Sequence, residues 1–190
     1  FRTAVAQAEL EDREREGAYH RPRFDRPDGG GIEIETTRPE LLPACVALVA
    51  HPEDERYRPL FGKDVLTPLF RARVPVLAHA LADPAKGSGV AMICTFGDIT
   101  DVTWWRELSL PVRAVIQPNG TLRPVMWGSP GWESQDAVAA QAAYDQMAGA
   151  GGARARDMLN PRTKADRVKL VNQHSLARSG ARTSRPRWRQ

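Results

Sequence analysis

Two carboxylates three residues apart, Asp98 and Asp101, are the side chains in this sequence best placed to do chemistry. They follow the stretch Gly87-Ser88-Gly89-Val90-Ala91-Met92-Ile93-Cys94-Thr95-Phe96-Gly97. Its glycines flank a small hydroxyl residue, where a backbone or a ligand can approach closely. The apolar run from Val90 to Cys94 has the length of a buried strand rather than a helix. The run stops at Phe96-Gly97-Asp98, and Asp98 is a good N-cap for the helical pattern of Val102, Trp105 and Leu108. Both acids then sit on the first turn of a helix that follows a buried strand. Positions i and i+3 share a helix face, so both can look into one cleft. The same pair also reads as a capping pair that merely favours the helix dipole.

The elements around this stretch read as a mixed α/β domain. Residues 4–11 alternate as a strand, although alanine content favours a helix, and Asp12 to Gly17 is a charged turn. Ala18 to Phe24 is expected to pair back antiparallel, before a loop at Pro27-Asp28-Gly29-Gly30-Gly31. Ile32 to Glu35 alternates as a strand and leads to Thr36-Thr37-Arg38-Pro39-Glu40. Pro39 suits the first position of a short helix through Leu41 and Leu42. Further strands are expected at Val46–Val49, Val65–Leu69, Val74–Ala78, Val90–Cys94 and Arg113–Ile116. His51 opens a turn towards a brief helix near Tyr57, and Pro118-Asn119-Gly120 is a second turn. The one long helical pattern runs from Ser134 to Ala148, with Val138, Ala142 and Met147 near one stripe.

Composition narrows the function classes. A chain of 190 residues with 42% apolar content suits one domain with a tail. No apolar run is long enough to span a membrane, and the N-terminus lacks the layout of a signal peptide. The opening Phe1-Arg2-Thr3, without Met, suggests an excerpt of a longer chain. Cys45 and Cys94 have no metal-ligand spacing, so they read as small apolar residues in a reducing compartment, and no metal is expected. The four histidines are scattered, and His51 reads as a turn residue. The tail from Ala153 carries 11 Lys and Arg against two Asp, a net +9. Taking that from the +4 of the whole chain leaves −5 on residues 1–152. The body therefore has no broad footprint for a nucleic-acid backbone. Beyond Gly149-Ala150-Gly151-Gly152, high charge and few core formers favour disorder. That tail reads as solvated or foreign to the domain, the alternative being RNA contact by charge and Trp188 stacking.

Four segments together, Glu35-Thr36-Thr37-Arg38-Pro39-Glu40, Ala50-His51-Pro52-Glu53-Asp54-Glu55-Arg56-Tyr57, Lys86-Gly87-Ser88-Gly89 and Gly97-Asp98-Ile99-Thr100-Asp101, resemble the editing domain of valyl-tRNA synthetases. That domain is the insertion called connective polypeptide 1 in the class I synthetases for valine, isoleucine and leucine. The order and spacing agree over roughly residues 30–117. The resemblance implies a bent, barrel-like, mostly β core with peripheral helices. It divides the chain into flanking strands at 1–29, an editing domain at 30–148 and a basic non-family tail at 149–190.

It also implies a task. Threonine and valine are nearly isosteric, and this pair is the standard illustration of weak discrimination by a hydrophobic pocket, roughly a hundredfold. A second site therefore hydrolyses threonine wrongly esterified to the tRNA. By resemblance, Asp101 grips the substrate α-ammonium group, and Asp98 serves the threonine hydroxyl or the attacking water. Thr36, Thr37 and Arg38 form the opposite wall against the terminal adenosine, its ribose or a phosphate. Lys86, Gly87, Ser88 and Gly89 form a glycine turn beside the ester, in which Ser88 is not a nucleophile because it lacks G-x-S-x-G context. Aligned without gaps, Met92 stands where many valine enzymes carry lysine, and Cys94 where they often carry threonine. Losing that lysine removes a contact to the hydroxyl or to nucleic acid. Each of these residues also has a plain structural reading, as a strand end, a cap or a surface ion pair.

The synthetic-site signatures His-Ile-Gly-His and Lys-Met-Ser-Lys-Ser are absent from the sequence. ATP and Mg²⁺ would belong to a synthetic domain elsewhere, and no cofactor is expected for this one. The implied partners are the acceptor end of tRNA(Val) carrying threonine and the remainder of a cytoplasmic synthetase, with no DNA and no membrane. Two alternatives stay open, a non-catalytic module that binds the tRNA acceptor end and a free-standing aminoacyl-tRNA deacylase.

Overall fold

Phe24 and Ile32 are buried between more exposed neighbours, and they face each other in the first ladder. The computed structural model describes residues 18–94, 96, 99–118 and 121–149. In it β1 (Arg23–Asp25) pairs antiparallel with β2 (Gly31–Glu33) across the expected loop. An isolated bridge between His20 and Thr36 extends the pairing outwards. The strand expected at residues 4–11 and the charged turn after it lie outside the described residues.

The remaining strands are β3 (Ala47–Ala50), β4 (Asp64–Leu66), β5 (Arg73–Ala78) and β6 (Val90–Ile93). They join the hairpin in one six-stranded sheet of order β2-β1-β4-β5-β3-β6. Only β3 and β5 run parallel, so the sheet is mixed. β5 serves two ladders. Its first half, Arg73 to Pro75, pairs with β4, and its second half, Val76 to Ala78, pairs with β3. The expected mixed α/β class is what the structure has, but the expected barrel is not. Among the described residues the end strands β2 and β6 are not paired with each other, so the sheet they form is open. Closure needs tilted strands with a sustained register. Here β1 meets β4 at a single register pair, Asp25 with Leu66.

Alternation sends the two faces of the sheet to two cores. Leu48, Ala50, Val74, Val76 and Val90 join the larger one, with Phe24, Phe70, Trp127, Tyr144 and Met147. Ala47, Val49 and Ile93 turn to the smaller one, with Trp104 and Leu110. Each core has its helix. α1 (Ile99–Glu107) inserts Trp104 into the smaller core, and its far end is held where His79 Nε2 lies 2.7 Å from Glu107 Oε2. α2 (Ala137–Gly149) covers the larger core with Ala140, Ala143, Tyr144 and Met147.

Several local readings need correction. α2 begins at Ala137 rather than Ser134, because Asp136 Oδ1 accepts the Ala139 N–H at 3.0 Å as an N-cap. The Ser134 hydroxyl is occupied instead with the Phe70 carbonyl, 2.7 Å away. The buried stripe is also rotated from the expected one, leaving Val138 83% exposed and Ala142 exposed. Arg113–Ile116 forms no strand, keeping only a bridge between Ile116 and Leu122. The Arg113 guanidinium there donates to the carbonyls of Cys45 and Gly131, which ties the segment down through a side chain rather than a ladder. The strand expected at Val65–Leu69 ends at Leu66, since Leu69 and Arg71 take positive φ in a turn. The short helix after Pro39 is a 3-10 turn over Pro39–Ala44, as suits a segment where Pro39 and Pro43 offer no N–H. Among the described residues no helix is long and apolar enough to cross a membrane.

Candidate functional site

The glycine turn ahead of β6 is held from one side by the His-Pro-Glu-Asp-Glu-Arg-Tyr segment. Within the turn, Lys86 N donates to the Asp83 carbonyl at 3.1 Å, and Gly89 N donates to the Lys86 carbonyl at 2.9 Å. Gly87 at φ +61° and Gly89 at φ +84° occupy the left-handed region, where a side chain is strained. Gly89 has a second reason to be glycine. A Cβ there would overlap Arg56 Nη2 and stand 3.0 Å from the Pro84 carbonyl oxygen and 3.2 Å from Asp54 Oδ2.

Those neighbours form a clamp. The Asp54 carboxylate, only 5% exposed, accepts Arg56 Nε at 2.8 Å on one oxygen and Nη2 at 2.6 Å on the other. Arg56 Nη2 also reaches the Pro84 carbonyl at 3.1 Å, and Tyr57 donates its hydroxyl to the Ser88 carbonyl at 2.8 Å. The turn is thus gripped at both ends, Pro84 and Ser88. The Arg56 side-chain bond, helped by the Arg56 backbone N–H, holds the Asp54 carboxyl below its ordinary pKa against the opposing effect of burial. Burial pushes the Tyr57 phenol up, so it stays a protonated donor at neutral pH.

On the opposite side stands Glu35. An atom placed at the missing Cβ of Gly87 would lie 3.4 Å from both Cβ and Oε2 of Glu35. Arg21 donates to Glu35 Oε1 through Nη2 at 2.7 Å and Nε at 3.1 Å. Between these walls lies a polar cleft of about 280 Å³, lined by Arg21, Glu33, Glu35, Arg56, Tyr57, Gly87 and Ser88. Ser88 is among the lining residues, and its hydroxyl is buried with no hydrogen-bond partner among the described residues. An unsatisfied buried hydroxyl costs on the order of 1–3 kcal/mol.

The other candidate residues lie around this cleft or away from it. Thr36 spends its backbone on His20, at 2.8 and 3.0 Å, and its Oγ1 accepts Arg38 N at 3.1 Å. Thr37 is half-buried beside it. Arg38 is exposed and pairs with Glu40 at 3.2 Å, the surface ion pair that its plain reading predicts. Lys86 is exposed at the rim of the turn. Met92 and Cys94 pack partly buried against the larger core. Cys94 also lines a separate apolar pocket of about 180 Å³ with Ile93, Phe96 and Trp105. Asp101 stands half-buried on the first turn of α1, as expected, but neither it nor Thr36 lines the polar cleft. Asp98 lies outside the described residues. Among the described residues no three His, Cys, Asp or Glu side chains are grouped to hold a metal ion. His51 is the turn residue expected, its Nδ1 accepting Glu53 N at 3.2 Å.

Sequence reasoning gave no role to Arg21, Glu35, Asp54, Arg56 or Tyr57. Asp54 and Arg56 carried a usable signal, since an acid and an arginine two residues apart in a turn can close on each other. Arg21 offered none, because its partner is 14 positions away.

Comparison with known proteins places the chain. It is 64% identical over 150 residues to a valine–tRNA ligase of Thermobifida fusca, covering 79% of this chain and 16% of that protein. Valine–tRNA ligases of Salinispora arenicola and Leifsonia xyli are 62% and 63% identical over 149 residues, each covering 78% of this chain and 17% of theirs. The chain therefore spans about a sixth of the length of the curated relatives it matches. No protein-family model matches it. A ternary complex of Agrobacterium radiobacter K84 agnB2 LeuRS, tRNA and LeuAMS aligns with a TM-score of 0.45 at 21% identity, covering 61% of this chain and 18% of that one. By sequence, this chain belongs to the valine–tRNA ligases, a family of aminoacyl-tRNA synthetases, and corresponds to one segment of them.

Proposed function

We propose that this segment is the proofreading unit of a valine–tRNA ligase, hydrolysing the ester of threonine wrongly attached to tRNA(Val). Water attacks the ester carbonyl carbon, the bond to the ribose oxygen breaks, and threonine and intact tRNA leave. Hydrolysis of this kind needs a held substrate, an aligned water and relief of charge on the carbonyl oxygen. Asp101 anchors the α-ammonium group, and Asp98 serves the γ-hydroxyl or the water. Thr36, Thr37 and Arg38 receive the terminal adenosine, while Lys86, Gly87, Ser88 and Gly89 bring backbone beside the ester. Met92 and Cys94, which stand where many valine enzymes carry lysine and threonine, offer the substrate less polarity than those residues would.

The observation that carries this reading is convergence. Glu35, Arg56 with Tyr57, and Gly87 with Ser88 come from three separate segments, yet they line one polar cleft beside the glycine turn. A site that bonds the γ-hydroxyl of threonine leaves polar groups unpaired when valine's methyl enters, so cognate Val-tRNA survives. The test is deacylation of preformed Thr-tRNA(Val) and Val-tRNA(Val) by the parent ligase. Rapid loss of threonine with valine retained supports hydrolysis. Tight binding of both with neither cleaved identifies a passive acceptor-end module instead.

A further inference from the structure

The geometry points to a role for the Asp54–Arg56–Tyr57 clamp that nothing above assigns: these residues set the position of the Ser88 turn, and through it the orientation of the bound ester. The inference rests on the hydrolytic reading of the site. None of the three side chains needs to touch the reacting atoms, so they are positioning residues rather than catalytic ones.

Three features argue for it. The clamp bonds to main-chain carbonyls on both sides of the turn, Pro84 through Arg56 and Ser88 through Tyr57. Neither acceptor is a side chain of the turn, so replacing Ala85, Lys86 or Ser88 would leave both acceptors in place. It is also itself rigid, because Asp54 binds both Arg56 nitrogens and the Arg56 backbone N–H at 3.1 Å. Finally, Gly89 is shaped to admit it, with no room for a Cβ against Arg56, Pro84 and Asp54. The Arg56 guanidinium additionally lies 5.2 Å over the Tyr57 ring, which couples the two arms. Small displacements matter at such a turn, since misplacing a reacting group by about 1 Å can cost about a hundredfold in rate.

The experiment uses the full parent ligase with Tyr57→Phe and Arg56→Lys. Tyr57→Phe keeps the ring and removes the one bond to Ser88, and Arg56→Lys keeps the charge but cannot span Asp54 and Pro84 together. Single-turnover hydrolysis of Thr-tRNA(Val) is measured against enzyme concentration, alongside valine-dependent ATP–pyrophosphate exchange and thermal melting. The expected result is a fall in the saturating hydrolysis rate of about tenfold for each variant. The saturating rate falls by more than the half-saturating concentration changes, the exchange rate stays near that of the wild type, and the melting temperature falls by only a few degrees, so that both variants are fully folded at the assay temperature. Amide exchange at residues 86–90 should also quicken in both. Hydrolysis unchanged in both variants overturns the inference, and so does a loss that only follows a lowered melting temperature. If the wild type itself leaves Thr-tRNA(Val) intact, the hydrolytic reading fails first, and the amide exchange still reports on the clamp.

Discussion

Replacing Gly89 with alanine tests the clamp by stability alone. The substitution has two costs that the structure separates. At φ +84° an L-residue loses about 1–2 kcal/mol to the left-handed backbone. The new Cβ must also displace Arg56 Nη2, which is pinned at 2.6 Å to Asp54 and 3.1 Å to Pro84. Arg56 is 55% exposed, so solvent replaces part of what is lost, and a further 1–2 kcal/mol is a fair magnitude. The total is about 2–4 kcal/mol. At roughly 2–4 °C per kcal/mol for a domain of this size, the melting temperature should fall by about 5–15 °C. Gly62→Ala is the control. Gly62 has a similar φ of +78° but nothing within 4 Å of its missing Cβ, so only the backbone cost applies. Differential scanning calorimetry of both variants against wild type reads the difference directly. Equal, small shifts for Gly89→Ala and Gly62→Ala would refute the idea that Arg56 is held in place.

Further outcomes follow from other parts of the fold. Because Asp54 is depressed below the usual carboxylate pKa in the folded chain, its contribution is present above the unfolded value of about 4 and lost as pH falls through the folded value. Melting temperature should therefore drop more steeply between pH 5 and about 3 in wild type than in Arg56→Met, and parallel curves would contradict this. Phe70 is fully buried with Trp127 stacked 5.0 Å away, so Phe70→Ala should cost about 3–5 kcal/mol by urea denaturation. Tyr144→Phe, which loses only the 2.9 Å bond to the Arg123 carbonyl, should cost about 1 kcal/mol in the same assay. Cys45 is fully buried, and that burial pushes its thiol pKa up, whereas Cys94 is half-buried. Ellman's reagent should modify Cys94 well before Cys45 in the native chain, and simultaneous reaction would show that the sheet edge opens readily.

The parts of this fold that were legible in sequence are those fixed by neighbours in the chain. Val46–Val49, Val74–Ala78 and Val90–Cys94 are apolar runs of strand length, and each appears within a residue or two of its expected place. Pro39 marks a helical start by its fixed φ, wherever the rest of the chain goes. What failed depended on distant partners. The stripe of α2 is set by the larger core, where Phe70 meets Tyr144 edge-on, and alanine-rich periodicity picked out Met147 but not Ala140, Ala143 or Tyr144. Arg113–Ile116 has strand composition, but its arginine ties it to the distant carbonyls of Cys45 and Gly131, which the local pattern does not report. Which strands end the sheet, β2 and β6 among the described residues, is a matter of long-range pairing that no local pattern reports. At the site, the glycine turn and its neighbours were recognisable as motifs. Their mutual contacts were not, since Tyr57 and Ser88 are 31 positions apart.

The central claim is that this segment destroys Thr-tRNA(Val), with Asp101 holding the amino end of the misplaced residue. Its most direct test is the rate of threonine release from Thr-tRNA(Val) by the full ligase and its Asp101→Ala variant, with valine activation measured in the same preparations. The account predicts that the variant loses release by a hundredfold or more while activating valine normally. Release at the wild-type rate by Asp101→Ala would contradict it.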